Sequence, residues 1–154
     1  MARFTFAAIT LAAIPAPLLA GDGLEMFDAV AGQCLTADVG EGGRDTHCFS
    51  ALFGGRHLRD VHHVTIDGKV VYRGETTYSR DGDKVTFTYI NSLGGGGRGE
   101  AHAVRDGIAI TGSMRANPEA GAQSMNSHWT LHQTGGYDVS DGSGRPVHYL
   151  PDTK

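Results

Sequence analysis

Eight histidines, at positions 47, 57, 62, 63, 102, 128, 132 and 148, carry much of the chain's chemical capacity. Neutral imidazole ligates metals, and imidazole exchanges a proton near neutral pH. Spacing limits what these residues can do together. His62 and His63 are adjacent, so on a strand they face opposite ways. His128 and His132 share a face but lie about four strand residues apart, too far to chelate one ion directly. His63 and His102 are the pair expected to face inward together. One of them could then ligate a haem, but no Cys-x-x-Cys-His attachment motif is present. The expectation is no cofactor, with a metal or haem as the lesser alternative. Glu100 and His102 share a face on a regular strand, and Tyr72 or Tyr89 could join them in acid–base work. No nucleophile elbow and no signature carboxylate pair accompanies them. The run Gly94-Gly95-Gly96-Gly97-Arg98-Gly99 matches a phosphate loop only in glycine content. It lacks the Lys-Ser/Thr ending and no helix follows, so it reads as a flexible hairpin.

The elements that must position these groups are strands. The stretch 52–113 is cut by three Asp-Gly pairs, 67–68, 81–82 and 106–107, into alternating segments of hairpin length. Asp-Gly favours two-residue turns because type I′ needs positive φ at both central positions. Strands are expected at 33–39, 45–53, 57–66, 69–80, 83–92, 99–105, 108–115, 123–134 and 137–140. Such a run of short-linked antiparallel strands is a meander, and a long meander removes its edges by closing into a barrel. Pairing Ile66 with Lys69, Arg80 with Asp83, Leu93 with Arg98 and Arg105 with Ile108 sets a register. It gives one nearly uncharged face: Val61, His63, Thr65, Val70, Tyr72, Gly74, Thr76, Tyr78, Val85, Phe87, Tyr89, Asn91, His102, Val104, Ala109 and Thr111. The opposite face carries His62, Val64, Arg73, Glu75, Lys84 and Arg105. Unpartnered charges are rarely buried, so the aromatic face should be the interior. Within it His63, Tyr72, Tyr89, Asn91, Glu100 and His102 are the candidate ligand-binding residues. Trp129 should face the core from a late strand. A barrel of this size either fills with side chains or holds one small ligand, and both outcomes stay open here.

Residues 1–20 have a basic start at Arg3, an apolar run and a small residue, Ala20, before Gly21, the pattern of a secretory signal peptide. An uncleaved N-terminal anchor is the rival reading. Removing this segment takes the formal charge from −4 to −5. A mildly acidic exported chain is not built to grip nucleic acid, and no later run is apolar enough for stable membrane insertion. The expected location is periplasmic or secreted. An oxidising compartment makes a disulfide the default for Cys34 and Cys48. Folding the hairpin about Glu41 sets these two residues opposite each other, while a reactive or metal-binding thiol pair is the alternative. A helix is expected over 22–30, with Asp22 as cap, Glu25 completing a capping box, and Leu24, Phe27 and Val30 on one face.

Two segments resemble a known family. Phe27-Asp28-Ala29-Val30-Ala31-Gly32-Gln33-Cys34 resembles the opening of calycin-type barrels, where a short helix leads into a Gly-x-Trp strand. Leu52-Phe53-Gly54-Gly55-Arg56-His57-Leu58 is similar to the Leu-Gly-Gly-Arg corner of a bacterial lipocalin-like family of unknown function. Cys34 stands where those families carry Trp. The resemblance implies an all-β, calycin-like antiparallel barrel over 21–140 with one short N-terminal helix and an interior cavity. Residues 141–154 are polar and Pro-containing and read as a C-terminal tail, to which Val147, Tyr149 and Leu150 could add a short edge strand. The resulting functional expectation is binding of a small, largely apolar molecule. The alternatives are an enzyme using interior His, Tyr and Glu, or a filled barrel acting through its surface.

Overall fold

A computed structural model describes residues 23–133, 135–142 and 144–152. The signal peptide expected over 1–20 and the cap expected at Asp22 lie outside them. Ten strands follow in chain order: β1 (Cys34–Gly40), β2 (Gly43–Leu52), β3 (His57–Ile66), β4 (Lys69–Asp81), β5 (Lys84–Asn91), β6 (Gly96–Val104), β7 (Gly107–Arg115), β8 (Gln123–Leu131), β9 (Tyr137–Ser140) and β10 (Val147–Pro151). Each pairs antiparallel with the next, and β1 pairs with β10, so the meander closes into a barrel. The fold is therefore the all-β meander barrel expected from the turn pattern. Its last strand lies in the stretch read as a polar tail. Leu35 faces Pro151, Thr36 faces Leu150, and Tyr149 is buried.

Two irregularities decide which side chains enter the interior. Asp67-Gly68 forms the expected two-residue turn, with φ of 49° and 73°, and pairs Ile66 with Lys69. Two pairs further on the register slips: Thr65 faces Val70, Val64 faces Tyr72, and Val71 has no partner. A one-residue bulge reverses the faces beyond it. Leu58, Asp60 and His62 therefore point inward, and Val61 and His63 point outward. The second shift lies at the glycine run, where Ile90 pairs with Gly96 in place of the expected Leu93–Arg98 pairing. Asn91 closes this loop, its Oδ1 accepting from the backbone N–H groups of Leu93 and Gly95. The shift is odd in residue count, so β6 and β7 present the opposite faces. Ala101, Ile108 and Ile110 are buried, while His102, Val104 and Thr111 are exposed. Val70, also expected inside, is 43 % exposed. The other two Asp-Gly pairs sit beside turns shifted by one residue on each strand, which preserves the faces: Asp81 pairs with Lys84 and Val104 with Gly107.

The expected helix over 22–30 is a single 3₁₀ turn, Leu24–Phe27, and Gly23 at its start makes no side-chain cap. Its predicted apolar face is nevertheless used. Leu24, Phe27 and Val30 are all fully buried, and Phe27 lies 4.5 Å from the Tyr78 ring. The turn is tertiary-driven, since so short a helix has little stability of its own.

Cys34 and Cys48 are directly opposite in the β1–β2 register and form a disulfide. Leu35 and Ala37 alternate with Cys34 into the core, so the bridge lies on the outer face. It staples the first hairpin without entering the interior. Closing a loop of this size restricts the unfolded chain by about 3 kcal/mol. A Cys34→Ser, Cys48→Ser variant should keep the barrel and lose about 2–4 kcal/mol in denaturant titration. An unchanged midpoint would mean that strand pairing alone fixes β1.

Candidate functional site

The reversed face of β3 meets the inner face of β2 to make a buried polar cluster. His47 and His62 are cross-strand partners, and Asp45 and Asp60 lie on the same inner faces. The His47 Nδ1 is 2.8 Å from Asp60 Oδ2, and its Nε2 is 3.3 Å from Asp45 Oδ2. The His62 Nδ1 is 3.3 Å from Asp45 Oδ1, and its Nε2 is 3.3 Å from the Tyr89 hydroxyl. Tyr89 in turn hydrogen-bonds the hydroxyl of Tyr72. From β10 the Tyr149 hydroxyl donates to Asp45 Oδ2 at 2.9 Å. One continuous network thus runs from Asp60 to Tyr72. Gly74 makes the centre of it possible. A Cβ there would lie 2.1 Å from His62 Nε2 and 2.7 Å from the Tyr89 oxygen. Any side chain at position 74 would displace the imidazole.

The charges in the cluster hold one another. Burial opposes ionisation of Asp45, but hydrogen bonds and charge from His47 and His62 outweigh it and keep the carboxyl well below its usual range. Burial likewise opposes the charged form of His47, yet Asp60 and Asp45 together raise its pKa to about 9. His47 is therefore cationic at neutral pH, held between two carboxylates. Burial, reinforced by Tyr72 at Tyr89 and by Asp45 at Tyr149, pushes both phenols up, so they stay neutral donors. Asp60 is only 2 % exposed, and its Oδ1 has no hydrogen-bond partner among the described residues. A buried acceptor of this kind is costly to leave unpaired.

Beside the cluster lies a cavity of about 180 Å³. Tyr78, Phe87, Ile110, Met114, Met125 and Trp129 form its apolar wall, and His47, Asp60, His62, Thr76, Tyr89 and Ser127 its polar one. Met114, Met125 and Ser127 also line a second hollow of about 420 Å³, shared with Tyr72, Asn91, Gln123 and Asp141. The interior is thus partly hollow. Aromatic rings back the cavity: Trp129 stacks on Tyr137 at 4.6 Å, and Tyr137 stacks on Tyr149 at 4.8 Å. A larger hollow, about 740 Å³, borders the glycine run near Arg98 and Arg115. Both of its ionisable groups, Arg98 and Arg115, are exposed to solvent.

The residues singled out from the sequence divide between the two faces. Tyr72 and Tyr89 point into the interior and belong to the network. Asn91 reaches the second hollow while organising its own loop. His63, Glu100 and His102 lie outside. Glu100 pairs with Lys84 at 2.8 Å and with His102 at 3.2 Å, and the His102 side chain is 48 % exposed. The register therefore does not bring those three residues together inside the barrel, where the sequence pattern placed them. His128 faces outward and pairs with Asp106 at 3.2 Å. Sequence reasoning missed Asp45, His47, Asp60, His62 and Tyr149. A period-two signal existed for the first two, which alternate with the buried Phe49. Leu58, on the same alternation as Asp60 and His62, is the corresponding signal on β3. Among the described residues no helix is long and apolar enough to cross a membrane. No protein-family model matches the chain, and no curated protein shows significant similarity to it.

Proposed function

We propose that this chain is an exported, calycin-type barrel that binds a small, largely apolar molecule in its interior. The observation that carries the reading is the cavity of about 180 Å³, with one wall of aromatic, aliphatic and sulfur side chains and the other formed by the polar cluster. Ligand sites combine an apolar wall with a few placed polar groups in this way. An apolar cavity of about 150 Å³ accommodates benzene, so the size suits a molecule with a single ring. The unpaired Asp60 Oδ1 supports a hydrogen-bond donor at one end of that molecule. Tyr149 and Tyr137 stiffen the wall behind it, which lowers the ordering cost of binding.

Phenol and benzylamine are suitable probes. A ligand present at about 100 times its Kd stabilises the folded state by about 2.7 kcal/mol. Thermal unfolding in their presence should shift upward by several degrees, and an Ile110→Trp variant, which fills the cavity, should show no shift. Identical midpoints with and without single-ring probes in the parent protein would defeat the reading. So would an equal shift in the filled variant.

A further inference from the structure

We infer that Asp45, His47 and His62 form a binding site for one divalent transition-metal ion of the zinc class. The three residues offer two imidazole nitrogens and a carboxylate, with candidate ligand atoms all within 4.8 Å of one another. This inference goes beyond the cavity-ligand reading and does not depend on it.

The Asp45 carboxylate stands between the two imidazoles, each presenting one nitrogen to it. The His47 Nε2 lies 3.3 Å from Asp45 Oδ2, and the His62 Nδ1 lies 3.3 Å from Asp45 Oδ1. Charge-assisted hydrogen bonds are usually about 2.7–2.9 Å, the spacing His47 achieves with Asp60 at 2.8 Å. An ion held tetrahedrally at about 2.0–2.1 Å from each ligand would space its ligands by about 3.3–3.4 Å. Spacing alone does not single out these residues, because the half-buried His132–Asp138 pair and the exposed His128–Asp106 pair are each 3.2 Å apart. What distinguishes the interior set is support from behind. The nitrogen of His47 that faces away from Asp45 is held by Asp60, and that of His62 is held by Tyr89. Partners of this type fix the tautomer and aim of a metal-binding imidazole. Tyr149 steadies the carboxylate in the same manner. The absence of thiolate ligands and the mixed N/O set suit zinc, cobalt or iron(II), and not copper(I). Three protein ligands leave one position for water or for a molecule in the adjoining cavity.

The test uses the full chain, stripped with EDTA and dialysed. Titration with ZnCl₂ by calorimetry should show one equivalent bound, and CoCl₂ should give the visible absorption of a four-coordinate cobalt ion. His62→Ala should abolish both signals. Tyr89→Phe, which keeps every ligand, should weaken zinc by about 10–100-fold. The His132→Ala, His148→Ala variant removes the surface histidines around Asp138 and should bind as the parent does. If His62→Ala does not fold, as judged by near-ultraviolet circular dichroism, Tyr89→Phe and the surface variant still decide the question. Absence of zinc binding by the stripped parent overturns the inference. So does binding that survives in Tyr89→Phe at full strength and disappears in the surface variant.

Discussion

A His47→Ala variant, held in EDTA, is expected to lose about 3–5 kcal/mol of stability in denaturant titration. The reason is the group it strands. Asp60 is almost wholly buried, and its one hydrogen-bond partner among the described residues is the His47 ring. Asp45 keeps His62 and Tyr149, so it contributes less to the loss. Removing one member of a buried pair costs more than the pair's net worth, because the remaining charge has no water around it. The double variant His47→Ala, Asp60→Asn should therefore recover a large part of the loss. If the single variant loses under about 1 kcal/mol, Asp60 has another partner or reaches solvent, and the cluster is less enclosed than described.

The second large effect is expected at Phe27. Its ring is fully buried and lies 4.5 Å from Tyr78 and 6.2 Å from Trp129. Phe27→Ala should cost about 3–5 kcal/mol, the range for truncating a buried aromatic side chain. The chain around it makes only one 3₁₀ turn, so helix propensity supplies almost none of this figure. A loss below about 1 kcal/mol would show that the segment is a loosely held cover and not part of the core.

The two expectations bear differently on what could be read from the sequence. Phe27 was legible because Leu24, Phe27 and Val30 repeat at a helical spacing that survives even when the helix shrinks to one turn. The barrel was legible because Asp-Gly, Gly-Gly and alternating strands are local signals. The interior Tyr78, Phe87 and Tyr89 followed from alternation along β5 and across the neighbouring hairpin. His47 and Asp60 were not legible as a pair. They meet through the regular β2–β3 register, but which face of β3 joins the inner face of β4 depends on Val71, a single unpaired residue. No composition rule marks a bulge between two β-branched stretches, and one such residue exchanges His63 for His62. The glycine run misled for a related reason. Without side chains to bury, 94–97 carry no pattern that separates one hairpin register from another. Only the distant pairing of Val85 with Ala101 reveals the choice.

The seam between β1 and β10 has a consequence for the order of events in folding. Tyr149 and Asp45 touch across 104 residues of chain. Nine strands can zip up through neighbouring hairpins, but the cleft around Asp45 stays unsealed until the final segment docks. Because β10 follows the other nine strands in the chain, the sheet keeps two raw margins and an unfinished pocket until it docks on β1. The Asp45, His47, Asp60 and His62 cluster lies within one hairpin, so the contact expected to form last is the one with the longest reach, from Tyr149.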